Sequence, residues 1–123
     1  MVPLDVLREA CEDVYKTTRG LIGTPEGNQH MGVGAGGDWS RKIDVEAEEA
    51  VIRTIRRYGL CPTVIGEECG TVSGQEGYLV IDPIDGTANA AAGLPFYCCS
   101  LAYASENRLS SVLHATIMDL FRG

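Results

Sequence analysis

Val80-Ile81-Asp82-Pro83-Ile84-Asp85-Gly86-Thr87-Ala88-Asn89 decides how this chain is read, because an apolar strand runs there directly into two carboxylates, a glycine and a hydroxyl. Asp82 ends the apolar run Tyr78-Leu79-Val80-Ile81, and Pro83, which has no ladder donor, predicts that the strand stops there. Asp85 is then placed as N-cap of a short helix from Gly86 to Ala92, closed by Gly93 and followed by Pro95. A helix start leaves the N–H groups of Gly86 and Thr87 available to an anion such as phosphate. The carboxylates beside them are hard oxygen donors of the kind Mg²⁺ prefers, and no Cys/His spacing suits zinc. A plain capped turn fits the same residues, since Asp before Pro or Gly commonly bonds its own backbone.

Further acidic clusters bear on that choice. Val64-Ile65-Gly66-Glu67-Glu68 is a second apolar run ending in acids, and two strands that deliver carboxylates at their ends can converge on one cation. Asp44 and Glu48 lie four apart at the start of a helix, so they share a face and repel each other unless a cation or solvent intervenes. Glu46, Glu48 and Glu49 are read as a solvated acidic first turn that complements the helix dipole. Asp44 is read as part of the site.

With these residues in view, the chain resembles the N-terminal half of the inositol monophosphatase family, including its archaeal inositol monophosphatase/fructose-1,6-bisphosphatase members. The resemblance rests on Asp44-Val45-Glu46-Ala47-Glu48, on Ile65-Gly66-Glu67-Glu68, and on Ile81-Asp82-Pro83-Ile84-Asp85-Gly86-Thr87 with Asn89. It implies the N-terminal part of a layered sugar-phosphatase fold and Mg²⁺-dependent hydrolysis of a phosphate monoester of a small polyol or sugar. Inositol monophosphate is the first substrate expected, fructose 1,6-bisphosphate the second and a nucleotide 3′-phosphate the third. By the same resemblance Glu67, Asp82 and the Ile84 carbonyl hold one Mg²⁺, Asp82 and Asp85 hold another, and a complete site takes two or three ions. Asp44 and Thr87 would orient the attacking water, Gly86 and Thr87 would grip the phosphate, and Glu68 would orient Glu67 or water.

Two departures from the family pattern stand out. Ala90 replaces the aromatic that usually follows the asparagine, which predicts looser packing behind the phosphate-binding turn. The second half of the family's chain, with a further metal-binding aspartate and much of the substrate pocket, has no counterpart in residues 1–123. The expectation is therefore one N-terminal metal- and phosphate-binding domain whose site is completed by further chain, by a second copy or by a partner. The alternative is a catalytically silent fragment or metal-binding module.

Composition narrows the classes. A length of 123 residues suits one domain with a modest core. The net charge of −7 supplies no basic face for nucleic acid. No apolar run approaches the roughly 18 residues needed to span a membrane. Five cysteines without regular pairing, and no signal peptide before them, predict a reducing cytoplasm. Cys98 and Cys99 are expected on opposite faces of a strand, and His30 and His114 in structural or surface roles.

Helical spacing of Leu4, Leu7, Cys11 and Val14 predicts a helix over Pro3 to Thr18, and Ala47, Val51, Ile55 and Tyr58 a second one ended by Gly59. Between them, Gly32 to Trp39 is too rich in glycine to predict a stable element. In the related enzymes a loop in this place closes over the metals, which makes Asp38 a secondary candidate; simple solvation of the loop explains Asp38 equally well. Runs at Tyr97 to Ala104 and Ser111 to Met118 read as strands joined by a turn at Ser105 to Arg108. The class is α+β: two helices packed on a mostly antiparallel sheet. An open strand at Ser111 to Phe121 predicts self-association.

Overall fold

The computed structural model describes residues 1–123. Helices α1 (Leu4–Thr18) and α2 (Lys42–Arg57) pack against each other and onto one face of a five-stranded sheet, in the order β4 (Gly70–Val72), β3 (Thr63–Gly66), β5 (Tyr78–Asp85), β6 (Cys98–Ala104), β7 (Val112–Asp119). Every neighbouring pair is antiparallel except β3 and β5, which run the same way. A two-stranded hairpin, β1 (His30–Val33) and β2 (Trp39–Arg41), leads into α2, and a short α3 (Thr87–Ala92) follows β5. The α+β expectation and the mostly antiparallel sheet agree with this architecture.

The apolar stripes explain the layering. Val6, Leu7, Ala10, Cys11 and Val14 of α1 meet Ile43, Ala47, Ala50, Val51 and Ile55 of α2, and both lie over Leu79, Ile81, Cys99, Leu101 and Tyr103 of the sheet. Each large side chain so buried contributes about 1.5–3 kcal/mol. In β6 the alternation puts Cys99, Leu101 and Tyr103 inward and Cys98, Ser100 and Ala102 on the other face, so the two cysteines do part company. All five cysteines are free thiols. No helix is long and apolar enough to cross a membrane.

Several boundaries differ from the sequence expectation. Pro83 does not end β5; the strand continues to Asp85 because the proline falls where the register with β6 slips, the one interior place a strand tolerates a missing donor. Asp85 is consequently the last strand residue and not a helix cap. Gly86 takes the N-cap position of α3 instead, with φ 96°. A Cβ there would stand 2.7 Å from the Phe96 carbonyl oxygen, so glycine is required twice over.

The glycine-rich segment is not structureless either. Gly32 sits at the hairpin's register slip with φ 103°, and the tip is tied down by Gly36 N–H to the Glu67 carbonyl (2.9 Å) and Ala35 N–H to the Glu68 carbonyl (3.3 Å). Ala90 is fully buried in the core. The β6–β7 connection is longer than the expected turn and includes a 3₁₀ segment, Leu109–Ser111, so that β7 starts at Val112.

Candidate active site

The parallel pairing of β3 with β5 brings the C-terminal ends of both strands to one edge of the sheet, with Ile65 opposite Val80. Glu67 follows one strand and Asp82 to Asp85 close the other, as convergence of the two acidic strand ends requires. A spacing of three along a regular strand would turn Asp82 and Asp85 to opposite faces. Here Asp82 pairs with Ser100 and Asp85 with Cys98, three residues on β5 against two on β6. That extra residue is a bulge, and it rotates both carboxylates onto the face of Ser100 and Cys98, away from the helices. Pro83 and Ile84 are both buried beneath them. The Cys98 thiol lies 4.0 Å from Asp85 Oδ2.

Asp44 reaches the site from the first turn of α2. Its Oδ2 accepts the Arg41 backbone N–H at 3.4 Å, half of a capping box, and its Oδ1 lies 3.0 Å from the Thr87 hydroxyl. The same hydroxyl stands 3.2 Å from the Ile84 carbonyl oxygen, so Thr87 is held between an acid and a main-chain acceptor at the start of α3. Arg41 Nη1 donates to the Thr87 carbonyl at 3.4 Å. Gly86, Asn89 and Asp85 line an open cleft of about 520 Å³ beside Tyr97 and Cys98. Asp119 lines it too, but its carboxylate accepts the Phe121 and Arg122 N–H groups and the Arg122 guanidinium.

Electrostatics mark this end of the sheet as crowded with negative charge. Desolvation, then the charges of Asp85, Glu67, Asp44 and Glu48, push the Asp82 carboxyl up to about 6. Burial likewise raises Asp44, against the opposing hydrogen bond from Thr87. Burial and the facing Glu48 carboxylate push Glu68 up to about 8. No three His, Cys, Asp or Glu side chains already form a cage around a cation. The donors are nonetheless oxygens, and the burial and mutual repulsion that together raise Asp82 are what a bound divalent cation offsets, so the chemistry of the set fits Mg²⁺.

Glu48 is the residue that the sequence reading misplaced. It is not a solvated first-turn acid but is 3% exposed, and its two oxygens accept the backbone N–H groups of Glu68 (2.9 Å) and Cys69 (3.1 Å). It thereby fixes the turn that carries Glu67. Gly66 makes room for it, since a Cβ at that position would meet Glu48 Oε2 at 2.8 Å. The signal was present: residues 44, 47, 48, 51, 54 and 55 form one buried helical stripe, and both acids sit in it. Glu68 is turned toward Glu48 and Ser40, whose hydroxyl lies 3.4 Å from its Oε1. Asp38 lines a small cleft together with Glu67 and Glu68.

Comparison with known proteins places this geometry. The profile of the Inositol monophosphatase family matches residues 4–119. A fructose-1,6-bisphosphatase of Pyrococcus furiosus is 28% identical over 119 residues, covering 95% of this chain and 46% of the relative. A bifunctional NADP phosphatase/NAD kinase of Methanococcus maripaludis is 30% identical over 122 residues, covering 95% of this chain and 21% of the relative. The crystal structure of an inositol monophosphatase-fructose 1,6-bisphosphatase superposes with a TM-score of 0.86 at 20% identity, covering 99% of this chain and 47% of that one. The chain thus spans less than half the length of these relatives. Fold, motif order and profile agree, and this chain belongs to the inositol monophosphatase family.

Proposed function

We propose that residues 1–123 form the metal- and phosphate-binding part of a Mg²⁺-dependent phosphomonoesterase acting on a small phosphorylated polyol or sugar. The observation that carries this reading is the 3.0 Å contact between the Thr87 hydroxyl and Asp44, placed where β5 presents Asp82 and Asp85 on one face. The names of the relatives, fructose-1,6-bisphosphatase and fructose-1,6-bisphosphatase/inositol-1-monophosphatase, support the substrate class. Inositol monophosphate comes first, fructose 1,6-bisphosphate second.

Glu67, Asp82 and the Ile84 carbonyl would hold one Mg²⁺, and Asp82 with Asp85 another. When bound, Mg²⁺ supplies Lewis acidity that makes water a competent nucleophile near neutral pH and offsets charge on the ester. The chain's own part is positioning and proton transfer. Thr87 Oγ1, with its proton directed to Asp44, presents lone pairs that accept a hydrogen bond from the attacking water. Asp44 receives the proton, and its burial makes it a stronger acceptor than an exposed aspartate. The N–H groups of Gly86 and Thr87 hold the phosphate oxygens as charge develops.

The test is Mg²⁺-dependent phosphate release by the purified chain from inositol monophosphate and fructose 1,6-bisphosphate. Release that disappears in Asp82→Asn is the expected result, and release unchanged by that substitution sinks the assignment. A second reading is a cation-binding module without turnover. It predicts Mg²⁺ binding by a folded chain that releases no phosphate.

A further inference from the structure

We propose that Arg41 is a positioning residue for the Asp44–Thr87 pair, its guanidinium holding the first turn of α3 to the start of α2 so that the Thr87 hydroxyl stays aimed at Asp44. This rests on the phosphatase reading above and adds to it a residue that acts through other side chains. Three contacts close a ring. The Arg41 backbone N–H donates to Asp44 Oδ2 at 3.4 Å, the Thr87 hydroxyl donates to Asp44 Oδ1 at 3.0 Å, and Arg41 Nη1 donates to the Thr87 carbonyl at 3.4 Å. One residue therefore contacts both members of the pair, the acid through its main chain and the threonine through its side chain. Both Arg41 contacts are long, so the weight falls on the guanidinium charge, which acts on a carbonyl dipole without ideal geometry. Burial raises the Asp44 carboxyl, and the hydrogen bonds from Thr87 and Arg41 and the Arg41 charge all oppose that rise.

Two features of the local structure show why this arginine stands here. Arg41 is the N-cap of α2, where Ser, Thr, Asp or Asn is favoured and a cation opposes the helix dipole. What it costs α2 is accounted for by what its side chain reaches. α3, for its part, has six residues, too few to hold a helix by itself, so its anchors set its orientation. Beyond the first turn these are plentiful: Asn28 Nδ2 donates to the Ala91 carbonyl at 3.0 Å, the Gly23 N–H to the Ala90 carbonyl at 3.1 Å, and Asn89 Nδ2 to the Phe96 carbonyl at 2.9 Å. Ala90 is also fully buried. The first turn is tied to α2 through Arg41 and the Thr87 hydroxyl. Loss of the guanidinium should therefore free that turn while the rest of α3 stays docked, and the hydroxyl loses its aim in a chain that still folds.

The experiment compares Arg41→Ala, Arg41→Gln and Arg41→Lys with Asn28→Ala, which releases the other end of α3. In the metal-free chain the Thr87 rotamer is read by NMR, from three-bond couplings of its methyl carbon to the backbone nitrogen and carbonyl carbon; the same spectra show that each variant is folded. The expected pattern is the couplings of a single rotamer in the wild type, averaged couplings in Arg41→Ala, and single-rotamer couplings again in Arg41→Lys and in Asn28→Ala. In phosphate release from inositol 1-phosphate with Mg²⁺, Arg41→Ala should lower kcat about 10- to 100-fold at nearly unchanged KM. Arg41→Lys should recover most of that loss, and Arg41→Gln, which keeps a donor without the charge, less of it. Thr87 couplings that are the same in the wild type and Arg41→Ala overturn the proposal, as does equal averaging in Asn28→Ala. A loss of activity carried by KM alone would assign Arg41 to substrate binding and overturn it too. Should the wild-type chain release no phosphate, the phosphatase reading fails, and the couplings still decide whether Arg41 sets the pair.

Discussion

In the first half of β5, Leu79 and Ile81 point under α2 and are almost wholly buried, whereas in the second half Asp82 and Asp85 face away from the helices toward Ser100 and Cys98. The first half is stabilised by what it touches. The second half carries groups whose charged form is opposed by burial first and by neighbouring carboxylates second, the two causes that raise Asp82. One strand therefore holds a structural element and the proposed site, and the two should respond in opposite senses to removal of their side chains.

The largest effect should come from the structural half. Leu79→Ala is expected to cost about 2–5 kcal/mol in urea unfolding of the metal-free chain, because the cavity lies under α2. Glu48→Ala tests whether a buried acid can belong with the structural half. Its loss leaves the Glu68 and Cys69 N–H groups without an acceptor, and a decrease of about 1–3 kcal/mol is expected. A gain on this substitution would mean that repulsion from Glu68 outweighs both hydrogen bonds.

Asp82→Asn should act in the opposite direction. At pH 8 it removes a carboxylate that the fold disfavours, and the metal-free chain is expected to gain about 1 kcal/mol, a figure discounted because the group is only partly buried. The gain should shrink at pH 5, where the wild-type side chain is mostly protonated in the fold.

The wild-type pH profile gives a related and smaller signal. Asp82 and Glu68 have folded values raised from 3.8 to about 6 and from 4.5 to about 8. Between these limits the folded chain holds more protons than the unfolded one. Metal-free stability is therefore expected to fall as pH rises from about 4 to 8, and thermal melts with and without Mg²⁺ should show the decline flattened by the cation. A profile that rises over this window would remove the case for uncompensated charge at the site.

Much of this was legible because chemistry and periodicity coincide. The stripes of α1 and α2, the apolar runs of β5 and β6, and the acids at the ends of β3 and β5 all follow from side-chain character at local spacing. What escaped depends on distant partners. Pro83 reads as a stop until β6 supplies a register in which a bulge absorbs it. The hairpin at Gly32 to Trp39 reads as loop until the Glu67 and Glu68 carbonyls anchor its tip. Glu48 reads as solvated because the two N–H groups that hold it lie twenty or more residues away in the chain.

The bulge in β5 also limits how this segment can vary. Because one extra residue sets which way Asp85 points, the segment from Asp82 to Asp85 works as a counted interval. A substitution at Ile84 changes volume and leaves the phase intact. Deletion of a single residue there would remove the bulge and draw Gly86 and Thr87 back by one residue, away from the Phe96 carbonyl and from Asp44. Sequence drift in this stretch should therefore proceed by exchange and almost never by a change of length.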